Sequence, residues 1–84
     1  MSGLPEKLDL HSVPGLMPRA DMLAASGTLD LSGVRQVDSA GVAFLVELQR
    51  RARRQQRDLS YTGAGERLRR LAAFFEVDTL LKLA

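Results

Sequence analysis

The sequence predicts a small α/β fold built as one domain over residues 1–84. The length suits one hydrophobic core, since single domains usually need more than about 50 residues. Apolar residues recur at helical spacing in several stretches, and two short stretches alternate apolar and polar residues as strands do. The resulting order of helix, strand, helix, strand and helix favours parallel strands joined by right-handed crossovers.

The first predicted helix runs from about Ser12 to Ala25. Before it, Met1 to Leu10 holds at most one ragged edge strand, because Pro5 interrupts the segment. Ser12 is expected to cap the helix start with its hydroxyl. Pro18 fits this helix only if it still lies near the first turn, where a missing N–H costs little.

Two predicted strands flank a long central helix. Residues Thr28 to Ser32 alternate apolar and polar side chains, and Asp58 to Tyr61 repeats that pattern. The helix between them is predicted from about Ser39 to Gln56. One of its faces belongs to the core, because apolar residues step along it by three and four at Val42, Leu45, Leu48 and Ala52.

An amphipathic helix and a short final helix complete the chain. The amphipathic helix carries Glu66 at its positive end and apolar residues at Leu68, Leu71, Ala72 and Phe75. The final helix is predicted over Val77 to Leu83. We expect Phe75 in the core, whereas Phe44 and Phe74 lie off the main apolar faces and are candidates for the surface.

A polar turn, Asp38-Ser39-Ala40-Gly41, opens the long helix and is the candidate functional site. Asp and Ser are favoured at helix starts because they cap unpaired N–H groups, and Gly41 permits close packing. The turn therefore has a purely structural interpretation. Ser39 also has a regulatory one, because a phosphate there adds about −1.5 to −2 charges at the positive end of the helix, beside Asp38.

A catalytic interpretation of Ser39 fails on its surroundings. A nucleophile elbow requires the frame G-x-S-x-G, and Val37 stands where the first glycine belongs. The single histidine, His11, precedes the serine, opposite to the order of the hydrolase triad. The chain has no cysteine, and its carboxylates lack metal-ligand spacing. We therefore expect no enzyme, no metal and no cofactor.

The compartment is predicted from what the sequence lacks. The N-terminus has no signal pattern, and no apolar run approaches the roughly 20 residues of a membrane span. The absence of cysteine fits a reducing compartment. We therefore expect a cytoplasmic protein.

A basic run ends the long helix and consists of Arg50, Arg51, Arg53, Arg54 and Arg57. Its simplest interpretation is a solvated face, because cations favour a helix C-terminus. Contact with an anionic membrane surface or an acidic partner is a second interpretation, and nucleic-acid binding is a third. The net charge of only +2 and the lack of aromatic residues among the arginines weigh against nucleic acid.

The stretch from Gly27 to Leu45 resembles the STAS family, the domains shared by sulphate transporters and anti-sigma factor antagonists. Its most specific part is the turn Asp38-Ser39-Ala40-Gly41, which is similar to the Asp-Ser/Thr-x-Gly that opens the family's second helix. Residues Leu8 to Pro14 also resemble the segment that leads into the first helix. The resemblance implies a small, mixed and mostly parallel sheet with helices packed on one side.

One departure from that family concerns the start of the chain. Members usually begin with a hairpin of two strands, whereas this chain has at most a remnant around Ser2-Gly3-Leu4. We therefore expect a truncated N-terminal hairpin. The sheet edge it leaves uncovered could pair with a second copy of the chain.

The resemblance also implies a function in which the start of the long helix docks on a protein. Residues Leu71 to Val77 look like the MlaB-type subunit of the bacterial phospholipid ABC transporter, which maintains outer-membrane lipid asymmetry. The leading hypothesis is a non-catalytic subunit that binds the cytoplasmic ATPase of such a transporter and reaches the inner membrane only through that complex. The implied partner-binding residues are Asp38, Ser39, Ala40, Gly41, Val42 and Ala43.

A second function follows from the same resemblance. Ser39 matches the position that serine/threonine kinases phosphorylate in anti-sigma factor antagonists. The alternative hypothesis is therefore an antagonist whose partners are an anti-sigma factor and a kinase, and which phosphorylation of Ser39 switches.

Overall fold

The computed structural model describes residues 4–83 and confirms the predicted α/β class. The strands are β1 (Lys7–Leu8), β2 (Thr28–Asp30), β3 (Gln36–Val37) and β4 (Ser60–Thr62). The helices are α1 (Val13–Leu16), α2 (Ala20–Ala24), α3 (Ser39–Arg54), α4 (Glu66–Phe74) and α5 (Asp78–Leu81).

The strands pair as two parallel ribbons. β1 pairs with β3, with Leu8 opposite Val37, and β2 pairs with β4, with Leu29 opposite Tyr61. An isolated parallel bridge joins Tyr61 to Leu83. β3 was not predicted from the sequence, because a strand of two residues is too short to show alternation.

The start of the chain was expected to have a truncated N-terminal hairpin. Leu4 is partly buried and packs against the core without belonging to a strand. Ser2 and Gly3, the other residues of the expected remnant, lie outside the described residues. Only β1 therefore precedes α1 within residues 4–83.

The first predicted helix is present in three parts. α1 and α2 are joined by a 3₁₀ turn, Met17–Arg19, and Pro18 lies at the start of that turn. This break explains how the chain accommodates Pro18. The first N–H groups of a helix have no partner within that helix, so the N–H that proline lacks costs no hydrogen bond there.

The prediction that the Ser12 hydroxyl caps α1 was wrong. Ser12 occupies the N-cap position but makes no capping hydrogen bond. Its Oγ accepts a hydrogen bond from the Asp9 N–H at 3.0 Å instead. The Asp9 carboxylate accepts from the N–H groups of His11 and Ser12, each at 3.0 Å. The side chain of Asp9 thus stabilises the turn that leads into α1.

α3 lies at the centre of the packing and contacts α1, α2, α4, α5 and β3. Buried polar groups join it to the strands. The Tyr61 hydroxyl donates a hydrogen bond of 2.7 Å to the carbonyl oxygen of Leu45, and burial raises the pKa of Tyr61. Because several elements cover α3, its buried surface is wider than the single apolar stripe that the sequence predicted.

Two of the three phenylalanines differ from their predicted environments. Phe44 is buried, with 2% of its surface exposed, because neighbours cover α3 on more than one side. Phe75 is 42% exposed, because α4 ends at Phe74 and the helical spacing no longer sets the direction of the next side chain. Phe74 is 78% exposed, as expected.

Within residues 4–83, no helix is both long enough and apolar enough to cross a membrane.

Candidate functional site

The candidate site lies where β3 leads into α3, and Asp38 is the N-cap residue there. Its Oδ1 accepts a hydrogen bond from the Gly41 N–H at 3.0 Å. Its Oδ2 accepts one from the Leu10 N–H at 3.1 Å, which ties the start of α3 to the segment after β1. The hydrogen bond from Gly41, helped by that from Leu10, lowers the pKa of Asp38. The carboxylate is therefore occupied by the protein's own backbone.

Gly41 is buried because the backbone of β1 passes directly against it. A Cβ atom at this position would overlap the carbonyl oxygen of Leu8 and lie 2.7 Å from Cγ2 of Val37. No residue with a side chain fits there without moving β1 or β3. The glycine of the turn thus has the structural role that the sequence suggested, which is close packing.

The remaining predicted site residues divide by exposure. Ser39 and Ala43 are exposed and lie about one turn apart on α3. Ala40 is partly buried, and Val42 is buried with 3% of its surface exposed. The Ser39 hydroxyl has no hydrogen-bond partner among residues 4–83. Of the six residues, Ser39 and Ala43 offer the accessible surface.

A largely apolar groove of about 400 Å³ runs beside these two residues. One wall is α3, and the other is the segment that follows α4, which contributes Phe75 and Val77. We call it the Ser39 groove, and its lining residues are Ser39, Val42, Ala43, Val46, Glu47, Arg50, Phe75 and Val77.

An aromatic pair separates this groove from a second hollow. Phe74 and Phe75 stack edge to face, with 5.3 Å between ring centroids and 79° between ring planes. Phe74 lines the second hollow, of about 660 Å³, together with Val37 and the outer face of α4. The sequence placed Phe75 in the core and Phe74 at the surface, and the pair was not among the predicted site residues. The available signal was two adjacent phenylalanines at a helix end, since one helix face cannot bury both.

The basic run at the other end of α3 is not uniform. Arg51 forms ion pairs with Glu47 at 2.9 Å and Asp21 at 3.1 Å, and Arg50 forms one with Glu47 at 3.1 Å. The hydrogen bond from Arg51 is the main reason that the pKa of Glu47 is lowered. Two arginines of the run are therefore paired with carboxylates.

The other three arginines of the run are exposed. Within residues 4–83, neither a hydrogen bond nor an ion pair engages the side chain of Arg53, Arg54 or Arg57. In the same part of the chain, no group of three or more His, Cys, Asp or Glu side chains could hold a metal ion.

The family model described as "Mlab, STAS domain" matches residues 4–82, which is nearly the whole chain. No curated protein matches the chain.

Proposed function

The chain belongs to the MlaB-type STAS domain family, and on that premise we propose that it is a non-catalytic subunit of an Mla-type phospholipid ABC transporter. In this role it binds and regulates the cytoplasmic ATPase of a transporter that maintains outer-membrane lipid asymmetry. The subunit is then cytoplasmic and reaches the inner membrane only through the complex.

One observation carries the proposal, namely the exposure of Ser39 and Ala43 in a groove that Phe75 also lines. Two small side chains on an exposed helix face let a partner approach the α3 backbone closely. Phe75 presents apolar surface in the same groove, and its neighbour Phe74 is also exposed. Burying such surface is favourable by about 25 cal/mol per Å². Aromatic anchors of this kind often dominate the affinity of protein interfaces.

The surroundings of Ser39 support a binding role over a catalytic one. Asp38, the nearest carboxylate in the sequence, already accepts hydrogen bonds from Leu10 and Gly41. A nucleophilic serine needs a base within hydrogen-bond reach, and the hydroxyl has none among the described residues.

Co-purification with the transporter ATPase tests the proposal, and Ala43→Arg is the informative variant. An arginine there places a long charged side chain in the Ser39 groove, and we expect affinity to fall by about 2 kcal/mol, or about thirtyfold. The control is Ala73→Arg, at an exposed alanine of α4 that lines neither the Ser39 groove nor the hollow at Phe74. Its affinity should change by less than about 0.5 kcal/mol. If the Ala43→Arg variant binds the ATPase as tightly as the unchanged protein does, the Ser39 groove is not the binding site.

A second candidate function is that of an anti-sigma factor antagonist switched by phosphorylation. The exposed Ser39 hydroxyl, which lacks a partner among residues 4–83, favours this alternative. A phosphate there would place about −1.5 to −2 charges next to the Asp38 carboxylate.

One substitution of Ser39 tests the binding site, and a second distinguishes the transporter function from the antagonist function. Ser39→Glu should weaken partner binding in both functions, and an affinity unchanged within about 0.5 kcal/mol would show that the site is wrong. Ser39→Ala should leave ATPase binding intact in the transporter function. In the antagonist function it should abolish switching by the kinase while the unphosphorylated complex still forms.

A further inference from the structure

The C-terminal end of α3 carries a second concave surface, whose charge the proposed function does not use. Two adjoining hollows, of about 310 and 220 Å³, share Gln49 and Arg53 as lining residues. Leu80 contributes an apolar side chain to the first, and Asp58 is the one carboxylate among the described residues that line them. We call this surface the basic groove, and its cations are Arg50, Arg53, Arg54, Arg57 and Lys82.

The charge of the basic groove is poorly neutralised by the protein itself. Glu47 is the single acidic residue of α3, and its carboxylate already binds Arg50 and Arg51. Arg53 and Arg54 lie three and four residues after Arg50, where like charges on a helix repel one another. The helix dipole favours cations in the last turn, yet it cannot remove the repulsion between them. An anionic ligand would relieve it.

The shape and lining of the groove favour one class of anion. A flat bilayer surface would meet the outermost guanidinium groups without filling the hollows. Stacking of nucleic-acid bases needs aromatic side chains, and the described lining contains none. Carboxylate side chains on an extended peptide can enter the hollows one by one, and guanidinium groups bind carboxylates in bidentate pairs.

The position of Arg50 connects the two surfaces of α3. Arg50 lines both the Ser39 groove and the first hollow of the basic groove. A segment that lies along α3 would therefore pass from an apolar groove at Ser39 to cations at Arg53 and Arg57. We propose that the basic groove binds an acidic peptide segment of a protein partner, whose Asp or Glu side chains pair with Arg53, Arg54 and Arg57. The proposal rests on the proposed function only for the identity of that partner.

The test uses the whole chain and a short fluorescent polyglutamate peptide at low ionic strength, where exposed charges are least screened. The variant Arg53→Gln/Arg57→Gln removes two charges from the groove. The control Lys7→Gln/Arg35→Gln removes two charges from exposed residues at β1 and just before β3. We expect the first variant to bind the peptide about tenfold more weakly, as two lost ion pairs allow, and the control to change affinity less than about twofold.

Three outcomes would overturn the proposal. In the first, the peptide does not bind. In the second, the groove variant and the control lose the same affinity, which would indicate that binding depends only on the net charge of the protein. In the third outcome, mixed-sequence single-stranded DNA or vesicles containing phosphatidylglycerol bind the groove more tightly than the peptide. Because no ATPase is present, failure here leaves the co-purification result standing, and failure of co-purification leaves peptide binding standing.

Discussion

The two ends of α3 are built differently. At the N-terminal end the backbone is held closely, by the Asp38 carboxylate and by the approach of β1 to Gly41, and the exposed side chains, Ser39 and Ala43, are small and uncharged. At the C-terminal end the exposed side chains are long and cationic, and the anchor is a buried amide, Gln49. One helix thus presents a surface defined by shape at one end and a surface defined by charge at the other.

The difference shows that neighbouring residues of a motif can have separate roles. Asp38 and Gly41 fix the geometry of the turn, whereas Ser39 between them is exposed. Part of the apolar surface beside Ser39 comes from Phe75 and Val77, which lie in a different part of the sequence. Substitutions at the N-terminal end therefore separate into those that change stability and those that change partner binding.

The largest expected effect breaks the close packing at the N-terminal end. Gly41→Ala should lower the free energy of unfolding by about 3 kcal/mol, because the new methyl group overlaps β1 and the core must shift. Urea denaturation measures it, and loss of a cooperative transition would be the extreme form. Gly15→Ala is the control, since a Cβ there meets no atom within 4 Å. Equal urea midpoints for the two variants would show that the packing at Gly41 is not tight.

A smaller effect is expected from the anchor at the other end. Gln49 is buried, and its Nε2 donates hydrogen bonds to the carbonyl oxygens of Leu59 at 2.7 Å and Leu81 at 3.3 Å. Gln49→Leu keeps much of the volume but removes both donors, and should cost about 1–3 kcal/mol of stability. The control is Gln55→Ala, which removes one exposed hydrogen bond to the backbone of Asp21 and should change stability by less than about 0.5 kcal/mol. A Gln49→Leu variant as stable as that control would show that this end of α3 needs no polar anchor.

The smallest effect concerns pH and returns to Asp38. Its pKa is lowered in the folded protein, so its charge contributes stability above the ordinary carboxyl pKa of 3.8. That contribution is lost as the pH falls below 3.8 and through the lower pKa of the folded state. Asp38→Asn keeps an acceptor oxygen but no charge, so its urea midpoint should fall less than that of the unchanged protein on acidification.

The control for this comparison is Glu76→Gln, at an exposed carboxylate that makes no hydrogen bond or ion pair among residues 4–83. This variant should follow the unchanged protein between neutral and acidic pH. If Asp38→Asn and Glu76→Gln show the same pH dependence, the hydrogen bonds to Asp38 do not make the stability of the protein depend on pH.

Much of the helical structure was predictable from the sequence. The first residue of α3, Ser39, was predicted correctly, and the predicted end at Gln56 lies two residues beyond the observed end at Arg54. The polar turn that opens α3 and its capping role could also be predicted. Both follow from local rules, because helix hydrogen bonds and caps join residues a few positions apart.

Contacts between distant parts of the chain were not predictable in this way. The pairing of β1 with β3 uses two residues on each strand, too few to show alternation. The burial of Phe44 depends on which elements cover α3, and the exposure of Phe75 on where α4 ends. The same limit applies to the Ser39 groove, since its far wall comes from the segment after α4.

The sequence by itself determined the class of fold, the course of the central helix and the turn at which Ser39 begins it. Only the tertiary structure decided that β1 lies against Gly41, that Phe75 faces the groove, and that Arg50 belongs to both surfaces of α3. The reason is that helical periodicity and capping are local properties of the chain. Which side chains remain exposed depends on the segments that happen to pack over them.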